Sequence, residues 1–241
     1  MEFDVYEYTS QGGRSYNEDS VGSRFNNEGG IFVVADGLGG HNHGEDASRM
    51  AIETIVGRWE INTDDMSEQI NAKVSEANNK ILELQKRSNC IMKTTAAILA
   101  IDNDRAVMAN TGDSRVYFFH NNELHSYTND HSVAYKKYKA GEISREQIAT
   151  DEDQSCLLRA IGGEERYLPD ITECGVHIGP GDAFMLCSDG AWEYLRDTEM
   201  LIDLMKSRTA KQWCELLMLR IMERLGNEKN DNLSIITVII R

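Results

Sequence analysis

Ile31-Phe32-Val33-Val34-Ala35 is an unbroken apolar run of strand length that ends on Asp36-Gly37-Leu38-Gly39-Gly40. Aliphatic and aromatic residues without a polar alternation read as a strand covered on both faces. The pattern recurs along the chain, in Thr95 to Ile101, Arg105 to Asn110, Arg115 to Phe119, Ala183 to Cys187 and the closing Leu233 to Ile240. Phe3 to Thr9 alternates instead, as an edge or half-buried strand does. Turn signals at Glu28-Gly29-Gly30, Asp102-Asn103-Asp104, Asn121-Asn122 and Gly179-Pro180-Gly181-Asp182 separate several of these runs. The second and third sit between neighbouring apolar runs, the pattern of antiparallel hairpins.

Two segments carry the helical period. Ala47, Met50, Ala51, Ile55, Val56 and Trp59 place an apolar stripe on one helix, and Trp213, Leu216, Leu217, Ile221, Met222 and Leu225 on another. A third and more polar helix is expected from Met66 to Gln85, with Ile70, Val74, Ala77, Ile81 and Leu84 on one side. Helices and strands do not alternate, so a doubly wound parallel sheet is not expected. Helices packed on largely antiparallel sheets fit better, an α+β fold. His131 to Gln154 differs in character, with Lys136, Lys137 and Lys139 followed by acidic Asp151, Glu152 and Asp153. It reads as a surface element inserted beside the core.

A net charge of −15 repels nucleic acid and anionic lipid, so neither is an expected partner. No apolar run approaches the roughly 18 to 20 residues needed to cross a bilayer, and the first residues do not resemble a signal peptide. Five scattered cysteines (Cys90, Cys156, Cys174, Cys187 and Cys214) read as reduced thiols, mostly core filler. A cytoplasmic location is expected, and, with no coiled-coil heptads, a monomer.

The chemistry is expected at the ends of the buried strands. Asp36 follows Ala35, Asp189 follows Ser188, Asp113 follows Gly112, and Asp231 stands just before the last strand. A carboxylate beside an apolar strand is costly unless it is paired or bound to a cation, and no matching set of buried arginines is evident. Hard divalent ions such as Mg²⁺ and Mn²⁺ take such oxygen ligands. Glycine after Asp36 and Asp189 suits tight turns. The bland alternative is that each Asp-Gly merely caps a turn. Arg14 to Asp19 adds an arginine whose planar fork can grip phosphate, with Glu18 and Asp19 close behind it.

Seven pieces in this order resemble the metal-dependent serine/threonine protein phosphatases of type 2C, in their compact bacterial form. They are Arg14 to Asp19, Asp36 to His41, Thr94-Thr95, Gly112 to Arg115, Asp130-His131-Ser132, Ser188 to Gly190 and Asp231-Asn232. The resemblance implies a four-layer α-β-β-α sandwich, with two largely antiparallel central sheets flanked by helices, over residues 1–241 as one catalytic domain. It makes about 131–160 a flap. It implies two Mn²⁺ or Mg²⁺ ions, bridged by Asp36, with the Gly37 carbonyl on one of them. Asp189 and Asp231 would complete the other, Glu18 and Asp19 would bind directly or through water, and Asp113 with Asp189 would form a weaker third site. Arg14 would clamp the phosphoryl group while a metal-activated water attacks in line. Phosphorylated proteins are the implied substrates, including a serine/threonine kinase or its targets.

Leu38 stands where some relatives carry a histidine, so the general acid is unassigned. Lys93 precedes the threonine pair where glycine is usual, and the flap is unusually acidic at Asp151 to Asp153. His41 and His43 could form a zinc pair, but no companion cysteine or histidine cluster supports one. The glycine spacing after Asp36 does not match a dinucleotide loop. A regulatory binding module that has lost turnover, and a hydrolase of small phosphate esters, remain the competing readings.

Overall fold

The computed structural model describes residues 1–39, 43–61, 65–225 and 230–241. One sheet runs β1 (Phe3–Ser10), β11 (Leu233–Ile240), β10 (Ala183–Cys187), β7 (Arg115–His120) and β8 (Glu123–Tyr127). The second runs β2 (Asp19–Phe25), β3 (Gly29–Gly39), β5 (Ala96–Asp102), β6 (Arg105–Thr111) and β9 (Asp170–Glu173), with β4 (Met92–Thr94) on the far end of β3. Every pairing is antiparallel.

The unbroken apolar runs are explained by what lies on their two faces. Phe32, Val34, Phe184, Leu186, Ile236 and Val238 meet between the sheets. Their alternates Ile31 and Val33 face α1 (Gly44–Val56) and α2 (Met66–Ser88), joining Ala47, Ile55, Ile70, Val74 and Ile81. On the other side Met185, Ile235 and Ile239 join Met200 of α5 (Asp197–Lys206) and Trp213, Leu217 and Ile221 of α6 (Ala210–Leu225). Side chains of period two thus fill three apolar layers. The architecture is the expected α-β-β-α sandwich of mixed α+β class.

Asn121 and Asn122 both take positive φ, 52° and 59°, closing the β7–β8 hairpin as the two residues of a primed turn do. The apolar stripe of α6 needs one correction. Met222 is 59% exposed, and Cys214 and Ala210 occupy the buried face instead. Trp59 is buried as expected but lies beyond the end of α1 at Val56.

The acidic segment holds α3 (Val133–Ala140) and a short 3-10 turn (Ile148–Thr150), anchored by Ala134, Tyr135 and Ile148 on the α6 side of the sandwich. Lys137 Nζ lies 2.8 Å from both Asp151 and Asp153, so the two acids are spent inside the element. The five cysteines are free thiols: Cys174, Cys187 and Cys214 are buried, Cys90 is half-buried and Cys156 is exposed. Among the described residues no helix is long and apolar enough to cross a membrane.

Candidate active site

The aspartates singled out in the sequence gather at one end of the sandwich because strands of both sheets start or stop there. In the β2–β3 register Asp19 stands directly opposite Asp36. Asp113 lies in the crossing from β6 to β7, Asp189 opens α4 (Asp189–Trp192) just after β10, and Asp231 precedes β11. Ser188 Oγ donates to Asp19 Oδ2 at 2.7 Å and so ties the two sheets together. The paired threonines hold Asp36 by its backbone. Asp36 N–H donates to Thr95 Oγ1 at 3.0 Å, and its carbonyl accepts from Thr94 Oγ1 at 2.9 Å and Thr95 N–H at 2.8 Å.

The glycines after Asp36 and Asp189 do not serve as turns. Neither adopts the left-handed backbone, and Gly37 continues strand β3 opposite Thr94. Each is required because another backbone passes too close for a side chain. A Cβ on Gly37 would lie 2.2 Å from the Gly44 carbonyl oxygen, and one on Gly190 would lie 2.1 Å from that of Asn232. Only glycine permits such an approach.

Arg14 Nε and Nη2 donate to the two oxygens of Asp231 at 2.8 and 2.5 Å, a bidentate fork at a partly exposed position. Glu18 Oε1 accepts from Gly44 N–H at 3.1 Å, satisfying the first turn of α1, where His43 offers no side-chain cap. His43 Nδ1 lies 3.8 Å from Asp46. Gly40 and His41 fall outside the described residues.

Four carboxylates share this space with little to offset their charge. Burial, then the charges of Asp189, Asp19, Asp113 and Asp231, hold Asp36 well above the usual carboxylate range. Burial, then Asp189 and Asp130, do the same for Asp113. Asp189 is raised by burial and by Asp231, and Asp19 is pushed by burial up to about 7. Asp19 Oδ1 and Asp113 Oδ1 are buried with no hydrogen-bond partner. Orphaned acidic oxygens among like charges are what a hard divalent cation satisfies, so the donor set fits such ions. The cluster is gathered but not closed: among the described residues no three acidic, histidine or cysteine side chains form a ready-made cage.

Other residues shape the site without having been singled out for it. Gln154 Nε2 reaches from the segment after the 3-10 turn to within 3.5 Å of Asp189 Oδ2. Asn232 accepts from Glu18 N–H and donates to the Gln11 and Tyr16 carbonyls, pinning the Arg14 loop to β11. Glu193 is pushed up to about 8, by burial first and then by Asp189 and Asp231. The Asp113 loop is gripped from both sides. His131 N–H donates to the Gly112 carbonyl at 2.8 Å while Gly112 N–H donates to His131 Nδ1 at 3.2 Å. Arg115 sends both arms of its guanidinium to buried Asp130 at 2.7 and 2.6 Å, over the Trp192 ring, and Trp192 Nε1 donates to the Asp113 carbonyl.

A family model described as protein phosphatase 2C matches residues 10–217. The chain belongs to the protein phosphatase 2C family. It is therefore a serine/threonine protein phosphatase by class, a hydrolase of the metal-dependent, bacterial type that the sequence resembles. The serine/threonine phosphatase Stp of Listeria welshimeri is 32% identical over 203 residues, 81% of this chain and 79% of its own. The protein phosphatase PhpP of Streptococcus pneumoniae is 31% identical over 193 residues, 78% of each chain. Among solved structures, a serine/threonine phosphatase of S. agalactiae superposes with a TM-score of 0.86 over 100% of both chains at 27% identity. The catalytic domain of the phosphatase PstP, in complex with two manganese ions, gives 0.82 over 99% of each chain at 25% identity.

For this phosphatase 2C member the crowding has a consequence in solution. A carboxyl group whose folded pKa is raised stabilises the fold fully below its ordinary pKa and less as pH climbs through the raised value. For Asp19 that window runs from the ordinary 3.8 to about 7. In EDTA the melting temperature is expected to fall between pH 5 and pH 8, and saturating Mn²⁺ should remove most of the slope. A metal-free protein that gains stability over that range would contradict the crowding.

Proposed function

We propose that the chain hydrolyses phosphoserine and phosphothreonine in proteins, with two divalent cations, Mn²⁺ or Mg²⁺, held at the acidic end of the sandwich. The observation that carries this reading is the convergence of buried Asp19 and Asp113 with half-buried Asp36 and Asp189, each raised by its neighbours' charge or by burial, with two carboxylate oxygens left unpartnered. Asp36 would bridge the ions, with the Gly37 carbonyl on one and Asp189 and Asp231 on the other. Glu18 and Asp19 would bind directly or through water, and Asp113 with Asp189 would take a third ion. Bound there, the cations would activate a water and offset the charge that builds on the phosphoryl oxygens. Residues 1–241 would act as one catalytic domain, with 131–160 as its flap.

The chain's own residues supply position and charge. Thr94 and Thr95 fix the Asp36 backbone, Ser188 orients Asp19, and the His131 and Arg115 clamps fix the Asp113 loop. Arg14 carries a fork suited to two phosphate oxygens, now spent on Asp231. A cation at Asp231 would satisfy that carboxylate and leave the fork to the phosphoryl group. Arg14→Ala should therefore raise the KM for a phosphopeptide by about tenfold while lowering kcat less, because a charged, bidentate contact is lost. An unchanged KM would remove Arg14 from substrate binding.

The reading as a whole is tested by hydrolysis of p-nitrophenyl phosphate and a phosphothreonine peptide, with Mn²⁺ and again with EDTA. Metal-dependent turnover of both supports it. Turnover of the small ester alone would make the protein a small-ester hydrolase. A folded protein inert on both would make it a binding module.

A further inference from the structure

A cavity of about 450 Å³ opens beside the Asp113 loop, walled by Lys136, Arg159, Arg166, Tyr167 and Leu168 over a floor that includes His131. The acids near it are already committed. Both oxygens of Asp130 are held by Arg115. Asp170 is shared between Arg159, at 2.5 Å, and His131 Nε2, at 3.0 Å. Lys136 and Arg166 are exposed and make no ion pair among the described residues. Glu164 and Glu165 are next to Arg166 in the chain but do not line the cavity. A protein of net charge −15 thus presents a cationic cavity lined by an ammonium, a guanidinium and the apolar surfaces of Tyr167 and Leu168.

The walls are tied to the site. His131 grips Gly112, the residue before Asp113, through two hydrogen bonds. The 158–168 segment is joined to Thr94, which holds Asp36, by the reciprocal Thr94–Ile161 backbone pair at 2.9 and 2.8 Å. Lys136 projects from α3 of the flap. A side chain resting in this cavity would therefore belong to the polypeptide whose phosphate lies at the aspartates.

We propose that this cavity is a subsite for a second anionic side chain of the phosphoprotein substrate, a phosphate or a carboxylate near the residue being dephosphorylated. Lys136 would meet it as a point charge and Arg166 as a planar fork, while Tyr167 and Leu168 would cover its stem. The proposal rests on the phosphatase reading above and adds a substrate preference to it.

The test uses matched phosphothreonine peptides that carry alanine, glutamate or phosphoserine at successive flanking positions. The wild-type protein should prefer anionic peptides at one or two positions by about tenfold in kcat/KM, chiefly through KM. The glutamate and phosphoserine arms tell a carboxylate from a phosphate occupant. Lys136→Ala with Arg166→Ala should abolish the preference and leave p-nitrophenyl phosphate turnover within about twofold, since both side chains are exposed and outside the metal cluster. Arg24→Ala with Lys206→Ala, two exposed side chains at the end of the sandwich away from the aspartates, removes the same charge elsewhere and should keep the preference. Equal use of all peptides by the wild type would overturn the subsite while leaving the phosphatase intact, as would an equal loss in the Arg24/Lys206 variant. If no peptide is turned over, the phosphatase reading fails separately. The subsite is then read by fluorescence anisotropy of the same peptides on the metal-free protein, where equal affinities would overturn it.

Discussion

Asp36→Asn is expected to lose turnover by about 10²–10³-fold or more at saturating Mn²⁺, the scale of removing a group that positions charge at the reacting centre. The substitution is nearly isosteric, and the contacts that fix residue 36 are made to its backbone by Thr94 and Thr95. The fold should therefore survive and the loss should be chemical. An amide cannot hold two cations together as a bridging carboxylate does. The same change removes one of the mutually repelling buried charges, because Asp36 faces Asp19 across β2–β3 and is raised by Asp189, Asp19 and Asp113 after burial itself. In EDTA at pH 8 the variant should melt above the wild type. Lower activity together with higher metal-free stability distinguishes a cation site from a structural aspartate. Near wild-type turnover in Mn²⁺ would remove Asp36 from the mechanism.

Arg115→Met should cost about 3–5 kcal/mol of stability, the range for stranding one half of a buried ion pair. Arg115 and Asp130 are only 6% and 5% exposed, and the pair is bidentate. Burial pulls the guanidinium's pKa down, but Asp130 and Tyr117 more than offset it, so the group stays charged in the interior. Without it the Asp130 carboxylate would keep its burial and lose its partner, and the Trp192 ring that Arg115 covers would lose its cation. Replacing both partners, Arg115→Met with Asp130→Leu, should recover much of the loss because no charge is then stranded. Urea unfolding of the single and double variants measures the difference. A single variant as stable as the wild type would mean that the pair is not a support of the Asp113 loop.

The strands most legible in the sequence are those buried on both faces. β3, β5, β10 and β11 read as continuous apolar runs because helices cover one side and the opposite sheet the other. β2 was not legible. Its Asp19-Ser20-Val21-Gly22-Ser23-Arg24-Phe25 carries little apolar signal, since it is an edge strand over which α1 passes closely enough that a Cβ on Gly22 would meet Ile52. β4 and β9 are three and four residues long, too short for a period to show. For the site, the acids and their order along the chain could be read, but their partners could not. The register that sets Asp19 against Asp36, the fork of Arg14 on Asp231 and the reach of Gln154 to Asp189 join residues as far as 217 apart in sequence. No local pattern encodes them. The acidic run at Asp151 to Asp153 reads as a free surface feature, yet Lys137 consumes two of its three charges.

The position of β11 sets the order in which a nascent chain can become this protein. The sheet of β2, β3, β5, β6 and β9 has all its strands once residue 173 is made. The other sheet cannot join β1 to β10 until residues 233–240 arrive, because β11 lies between them. Without β11, the edges of β1 and β10 that it pairs would have no partner, and unpaired edges of this kind are the surfaces that aggregate when left alone. Asp231 and Asn232 arrive with the same strand, so a chain stalled before it would lack one of the proposed cation ligands and the side chain that pins the Arg14 loop.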